Sequence, residues 1–171
     1  MRQAFLDTEF LEHPDGPILL SIGVVCGGAE FYAELHGAAI AELPRQDIDE
    51  FVQREVLGQF GRIAAAGASE LEMAQRLSMW IDSLDVDALE VLYNFNVDFL
   101  MIERLIALMG QPPRCKLVPA HVGYLIGDAD AEAAAALCWH QLVSARGLRQ
   151  HHALADALAL RAGVAAVHGL E

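Results

Sequence analysis

The sequence predicts an α/β fold, because strand-like and helical segments follow one another along the same chain. Three strand-like runs come first, helical periods fill the middle, and a further strand leads directly into a helix. The predicted strands fall at residues 3–8, 18–27, 29–35 and 88–94, and the helical periods between the last two strands fall at 46–60 and 70–84.

Turn and capping residues separate these elements. The first loop turns at residues 14–17 (Pro-Asp-Gly-Pro) and the second at residues 27–28 (Gly-Gly), which are compositions that favour turns. Ser69 followed by Glu72 is a capping box, so a helix is expected to begin there.

Length and composition indicate a single domain over residues 1–171. With 54% hydrophobic residues the chain can bury a core without disulfides. Cys26, Cys115 and Cys138 have no paired spacing and are expected to be reduced thiols of a cytoplasmic protein. No signal-peptide pattern and no membrane-spanning apolar run is present, so no membrane partner is expected.

The first candidate site motif is Asp7-Thr8-Glu9 at the end of an apolar run. The apolar run predicts a buried strand, and the period of two places Asp7 and Glu9 on the same face. Two carboxylates on one strand face can chelate an ion. The alternative interpretation is a solvated strand end.

The second motif centres on Asp98, where strand-like residues give way to a helical pattern that ends at Gly110. An acid at this position lies at the carboxyl end of a strand, where open sheets bind their ligands. The alternative is an ordinary capping or first-turn acid.

The third motif contains His151 and Asp156 in a stretch dominated by Ala and Leu. If the whole stretch is helical, the two residues lie about 140° apart around the helix. They could then flank one catalytic centre, but they could not bind one ion as adjacent ligands. The alternative is a surface histidine on an Ala-rich helix.

The four carboxylates and the histidine would form one functional site if the fold brings their side chains together. Carboxylates a few Å apart cannot all stay ionised without compensation, so such a cluster needs divalent cations. The expected chemistry is therefore metal-assisted phosphoryl transfer to water.

Taken in order, the three motifs resemble the DEDD superfamily of 3′-to-5′ exonucleases, in the subtype whose third motif carries His. Asn94 lies four residues before Asp98 as in that family, and Ser21 stands where many members carry Glu. The Ser, together with the opening Asp-Thr-Glu-Phe-Leu-Glu, favours the ribonuclease AS-like exoribonucleases. His152 occupies the tyrosine position of the other subtype, but the spacing favours His151 as the catalytic histidine. The resemblance implies a ribonuclease H-like mixed β-sheet flanked by α-helices.

The resemblance also implies hydrolysis of the 3′-terminal phosphodiester with two Mg²⁺ or Mn²⁺ ions. One ion is expected on Asp7, Glu9 and Asp156. The other is expected chiefly on Asp7, with Asp98 contributing directly or through water. His151 is expected to remove a proton from the attacking water, and the product is a nucleoside 5′-monophosphate.

Further residues are candidate substrate contacts. The family places side chains against the terminal base just after the metal-binding strand, which designates Phe10 and Leu11; simple packing is the alternative. Arg146 and Arg149, just before His151, are the first choices for phosphate contacts, with solvated surface arginines as the alternative. The full set is Thr8, Phe10, Leu11, Asn94, Arg146 and Arg149.

The expected partner is the 3′ end of RNA. A net charge of −13 opposes binding of long polynucleotides, so we expect a footprint of a few terminal nucleotides. The alternatives are a DNA exonuclease, a hydrolase of short oligonucleotides, or a catalytically silent nucleic-acid-binding module. The related exoribonucleases are commonly homodimers, and the Ala-rich helices after Asp130 with the segment around Trp139 are the expected interface.

Overall fold

A computed structural model describes residues 1–110 and 113–169, and within these ranges the chain forms a six-stranded mixed sheet and five α-helices. The predicted α/β fold with a mixed sheet flanked by helices is thereby confirmed. No helix in the described ranges has the length and apolar character needed to cross a membrane.

The sheet is organised around its first strand. The strands are β1 (Arg2–Leu11), β2 (Ile18–Cys26), β3 (Ala29–Leu35), β4 (Gly67–Ala68), β5 (Ala88–Tyr93) and β6 (Lys116–His121). Their order in space is β4-β3-β2-β1-β5-β6. β1, β2 and β3 form an antiparallel meander, whereas β5 runs parallel to β1 and β6 parallel to β5. The central position of β1 buries it on both faces.

Helices cover both faces of the sheet. They are α1 (Gly37–Ala41), α2 (Glu70–Ser83), α3 (Asn96–Leu108), α4 (Ala129–Arg146) and α5 (Ala153–His168). α2 and α3 pack on the face that carries Ala4 and Leu6 of β1. α5 lies on the opposite face, which carries Phe5, and α4 packs against α5. Because side chains alternate along a strand, Asp7 and Glu9 share the face of Phe5 and point towards α5.

The α2 boundary follows its sequence signal. Ser69 accepts a hydrogen bond from the backbone N–H of Glu72, and the Glu72 carboxylate accepts one from the N–H of Ser69. This reciprocal pair is the predicted capping box.

The helical segment predicted at residues 46–60 forms only as short irregular turns and not as one regular α-helix. The structure has a 3₁₀ turn (Arg45–Asp47), a π-helical turn (Val52–Val56) and another 3₁₀ turn (Leu57–Gln59) in its place. The Gln59 side-chain amide donates to the Glu55 carbonyl at 2.7 Å, the acceptor that the Gln59 backbone N–H would use in an α-helix. This side-chain bond competes with regular helix formation.

A second correction concerns the third motif. The helix begins at Ala153, and His152 is its N-cap residue. His151 has a φ of 65°, a left-handed conformation that few residues other than Gly adopt. The angle of 140° between His151 and Asp156 therefore does not apply, because His151 lies in the loop before the helix.

Candidate active site

The structure brings the five predicted catalytic residues to one pocket. Asp7, Glu9, Asp98, His151 and Asp156 all line a cavity of about 770 Å³ between the sheet, α4 and α5. They come from β1, α3, the loop before α5 and α5 itself. We refer to Asp7, Glu9, Asp98 and Asp156 as the acidic cluster.

A close approach of α5 to the sheet brings Asp156 towards β1. Gly23 of β2 pairs with Asp7 of β1, and any Cβ atom at Gly23 would collide with the backbone of Ala153 and Leu154. A glycine inside a strand commonly marks such an approach. Gly23 therefore allows the first turn of α5, which carries Asp156, to lie directly on the strand pair that carries Asp7.

Asp98 is held by three hydrogen bonds from the protein. Its Oδ1 accepts from the backbone N–H of Thr8 at 3.1 Å and from the Thr8 hydroxyl at 2.7 Å. Its Oδ2 accepts from the backbone N–H of Phe95 at 3.2 Å, so Asp98 also caps the start of α3. The sequence suggested either a site carboxylate or a helix-capping acid at this position, and Asp98 can be both. Thr8, predicted to contact substrate, is buried and serves to orient this carboxylate.

Asp156 is oriented by two donors. The backbone N–H of His151 donates to its Oδ2 at 2.9 Å, and the indole N–H of Trp139 donates to its Oδ1 at 2.6 Å. Trp139 thus belongs to the site, although the sequence predicted it only in the subunit interface. Its spacing from Glu132 and Ala135, which also line the pocket, places all three on one side of α4.

The two adjacent histidines have different surroundings. The His151 ring lines the pocket and meets the edge of Phe51, with ring centroids 4.8 Å apart. His152 is buried and stacks on Tyr32 at 4.3 Å. Burial lowers the pKa of His152 to about 4, so this ring is a neutral part of the core. The prediction that His151 rather than His152 faces the site agrees with this placement.

Burial raises the pKa of every acid in the cluster, and repulsion from neighbouring carboxylates adds to this for Asp7, Glu9 and Asp156. The pKa of Glu9 rises to about 8, chiefly by burial and then by the charges of Asp156 and Asp98. The pKa of Asp156 rises to about 7 and that of Asp98 to about 6, in both cases chiefly by burial and against the hydrogen bonds they accept. Burial, followed by the same repulsion, also raises the pKa of Asp7. Without a cation the cluster is therefore partly protonated at neutral pH.

The donor set suits a divalent cation. One ligand atom each from Glu9, His151 and Asp156 lies within 4.8 Å of the others. The Oδ2 atom of Asp7 is buried and has no hydrogen-bond partner among the described residues. A buried carboxylate oxygen without a donor is costly, and a cation would relieve that cost. Carboxylate oxygens are the ligands preferred by hard ions such as Mg²⁺.

The predicted substrate contacts divide into two groups. Thr8, Phe10 and Asn94 line the pocket, and the buried Oδ1 atom of Asn94 has no partner among the described residues. Leu11 packs in the hydrophobic core, so its prediction as a base contact is not supported by its position. Arg146 and Arg149 are not part of the lining either.

Ion pairs explain where the two arginines lie. Arg146 donates to both carboxylate oxygens of Glu30 at 2.9 and 3.0 Å. Arg149 pairs with Glu55 at 3.2 Å and donates to the Arg54 carbonyl. Both guanidinium groups are thus engaged in ion pairs outside the pocket lining. The described lining contains no Lys or Arg, and it continues from the acidic cluster into an apolar wall that includes Leu125, Ile126, Ala131 and Leu160.

Comparison with protein-family models and with curated protein sequences gives no match to this chain.

Proposed function

We propose that this chain is a divalent-metal-dependent 3′-to-5′ exonuclease that hydrolyses the terminal phosphodiester of RNA. The observation that carries the proposal is the convergence of Asp7, Glu9, Asp98, Asp156 and His151 in one pocket. These residues are distant in sequence, and their order and types resemble the motifs of the DEDD exonucleases, in particular the ribonuclease AS-like branch.

The acidic cluster would hold the metal ions. Asp7, Glu9 and Asp156 are the proposed direct ligands. Both oxygens of Asp98 already accept hydrogen bonds from the protein, which favours a contribution through water. When bound, two Mg²⁺ or Mn²⁺ ions would offset the negative charge, polarise the phosphodiester and stabilise the departing 3′ oxygen.

The remaining residues of the chain bind, orient and move a proton. His151 accepts the proton of the attacking water, and its lowered pKa, caused chiefly by burial, keeps the ring neutral and able to accept at neutral pH. Trp139 and the backbone of His151 fix the Asp156 carboxylate. Phe10 and the apolar wall provide a surface for the terminal base, and a nucleoside 5′-monophosphate is released.

A hydrolase of very short oligonucleotides is the second candidate. The described pocket lining contains five acids and no Lys or Arg, so few phosphates can be held beyond the one at the metal ions. DNA remains an alternative substrate, because no side chain of the described pocket is identified as recognising the 2′-hydroxyl group that distinguishes RNA from DNA.

We expect the protein in the cytoplasm, where buried thiols such as Cys26 stay reduced.

A homodimer remains part of the proposal. The side chain of Trp139 lines the pocket, so α4 would instead offer the opposite side, which carries the exposed Leu137, to a second subunit. Light scattering at micromolar concentration tests this, and a fully active monomer would remove the dimer from the proposal without affecting the catalytic part.

The function is tested with 5′-labelled RNA and DNA of several lengths, with and without Mg²⁺ or Mn²⁺. We expect RNA to shorten by one nucleotide at a time from the 3′ end, and chelation to stop the reaction. Asp7→Asn is the inactive control, and Asp15→Asn, at an exposed acid, is the matched active one. Internal cleavage, or activity that survives both chelation and Asp7→Asn, would contradict the proposal. The absence of hydrolysis on any labelled substrate would favour a silent binding module.

A further inference from the structure

We propose that Gln59 is a positioning residue that holds the loop of His151 in place, through a segment that carries no catalytic motif of its own. This inference rests on the proposed function, in which His151 is the proton acceptor. The segment comprises residues 51–59, where the structure has π-helical and 3₁₀ turns in sequence. Single π-helical turns occur frequently at functional sites.

Gln59 is fully buried, with 0% of its surface exposed. Its side chain makes two hydrogen bonds to the loop backbone, one on each side of the peptide unit that joins Arg149 to Gln150. Its amide N–H donates to the Gln150 carbonyl at 2.8 Å, and its carbonyl accepts from the Arg149 N–H at 3.3 Å. The second amide hydrogen goes to the Glu55 carbonyl within the segment. A buried amide that makes these bonds fixes the backbone directly before His151.

Other contacts of the segment act on the same loop. The Phe51 ring meets the His151 ring at 4.8 Å, which restricts rotation of the imidazole. Arg149 pairs with Glu55 and donates to the Arg54 carbonyl. Three side chains of the segment, Phe51, Glu55 and Gln59, therefore contact three consecutive residues, 149–151, of the loop between α4 and α5.

The backbone of His151 explains why the loop needs this support. A φ of 65° at a residue other than Gly is unfavourable and persists only where its surroundings enforce it. The His151 N–H is bonded to Asp156 of the acidic cluster. The Gln150 carbonyl, which belongs to the same peptide unit, accepts a hydrogen bond from Gln59. Together these bonds keep the imidazole directed towards the acidic cluster.

The chain directly after the segment is attached to the sheet. The backbone N–H of Gly61 donates to one carboxylate oxygen of Glu34 on β3 at 2.6 Å, and the Tyr32 hydroxyl donates to the other at 2.7 Å. Glu34 is buried. The position of His151 is thus set by contacts that lead from β3 through the segment to Gln59 and then to the loop.

The test compares Gln59→Leu with Gln53→Leu. Both change a glutamine of the same segment to the same residue, but Gln53 is exposed. We expect Gln59→Leu to lower kcat at least tenfold with KM within twofold, whereas Gln53→Leu leaves both unchanged. In the His151→Ala background, Gln59→Leu should cause no further loss of kcat, because its effect acts through the imidazole. A further tenfold loss in that background would mean a general structural role and would overturn the proposal.

Amide hydrogen exchange gives a readout that does not depend on activity. Loss of the Gln59 bonds should speed exchange of the Arg149 and His151 amides at least tenfold in Gln59→Leu and leave it unchanged in Gln53→Leu. Unchanged exchange at both amides would overturn the proposal even if activity fell. If the native protein has no nuclease activity, the proposed function fails, and the exchange rates alone decide whether Gln59 positions the loop.

A second variant covers the case in which Gln59→Leu does not fold. The Phe51 side chain is 47% exposed, so Phe51→Leu should leave the core intact. We expect a several-fold loss of kcat and a change in the NMR signals of the His151 imidazole. An imidazole spectrum and a kcat equal to those of the native protein would contradict the role of the segment.

Discussion

The acidic cluster and the loop of His151 meet at one pocket but are built in different ways. The four carboxylates lie on β1, α3 and α5, so their backbones are fixed by the bonds of regular elements. His151 lies outside any helix or strand, at a positive φ, and is held by side chains from residues 51–59. The difference indicates that the proposed metal-binding part of the site depends on the fold as a whole, whereas the proposed proton acceptor depends on a few long-range hydrogen bonds.

The largest expected effect is loss of the acidic cluster. Asp7→Asn should lower activity by at least about 10⁴-fold, because the residue is proposed to contact both metal ions. The variant should stay folded, since removing one buried charge relieves repulsion in the cluster. Turnover of labelled RNA and thermal unfolding without metal check the two expectations. Activity near that of the native protein would show that Asp7 is not a ligand.

Substitutions of the two adjacent histidines test the role of the His151 loop. His151→Ala should lower kcat by roughly 10²–10⁴-fold, the usual contribution of a general base, with little change in stability. His152→Ala should leave kcat within a few-fold but lower the free energy of unfolding by about 2 kcal/mol, because it removes a buried ring stacked on Tyr32. Rate assays and chemical denaturation separate the effects. A severe rate loss from His152→Ala with little from His151→Ala would reverse the assignment.

These two regions also differ in how far the sequence predicts them. The alternation in β1, the strand-to-helix junction at Asp98 and the capping box at Ser69 are local patterns, and the structure has the strands and helices that they predict. Gly23, opposite Asp7, is also a readable signal, since a glycine within a strand marks a close approach. The conformation of residues 51–59 has no such pattern, because it depends on bonds between Gln59 and residues some 90 positions later.

The contacts of Trp139, Arg146 and Arg149 could not be predicted from the sequence either. The period of α4 places Trp139 on a face, but only the packing of α4 against α5 puts its indole beside Asp156. Arg146 and Arg149 precede His151 by five and two residues, yet Glu30 and Glu55 from distant parts of the chain pair with them. Partner choice among surface charges depends on tertiary structure, which no spacing rule contains.

The indole of Trp139 is expected to affect metal affinity. Trp139→Phe keeps an aromatic ring in the pocket but removes the hydrogen bond to Asp156 at 2.6 Å. Residues that orient a metal ligand typically contribute 10- to 100-fold to affinity, so we expect Mn²⁺ affinity to fall about tenfold. Calorimetric titration with Mn²⁺ measures this, and Trp80→Phe, at a tryptophan that packs near Phe31, is the control. Unchanged affinity would show that the His151 N–H alone orients Asp156.

The stability of the metal-free protein should fall as pH rises from 6.5 to 8.5. The pKa values of Glu9 and Asp156 are raised to about 8 and 7, so the folded protein binds more protons than the unfolded chain in this window, and stability decreases with pH. His151 and His152 have lowered pKa values. Their contribution has the opposite sign, but it levels off at about pH 7.5, one unit above the ordinary histidine pKa of about 6.5, and it is smaller than that of the acids.

Thermal unfolding across this pH range, with and without Mg²⁺, tests the expectation. Mg²⁺ should recover most of the lost stability at pH 8.5, because it binds only the ionised cluster. Asp7→Asn should weaken both the pH dependence and the recovery, whereas Asp15→Asn should resemble the native protein. A metal-free protein that becomes more stable towards pH 8.5 would mean that the acids are not mutually repelling in the folded state.

The smallest expected effect is that of the basic residues near the pocket. Arg146 is engaged with Glu30, and exposed ion pairs contribute little to stability, so Arg146→Ala should change kcat and KM by less than about twofold.

The salt dependence of substrate binding should also be small. With no Lys or Arg in the described lining, few counterions are released when substrate binds. The slope of log KM against log salt should then stay below about 1.5, equivalent to two phosphate contacts on a single strand. Comparing RNAs of 3 to about 20 nucleotides at several salt concentrations measures this slope for each length. A steeper slope for the longer RNAs, or a tenfold rise in KM for Arg146→Ala, would mean that the substrate extends past the pocket to the carboxyl end of α4.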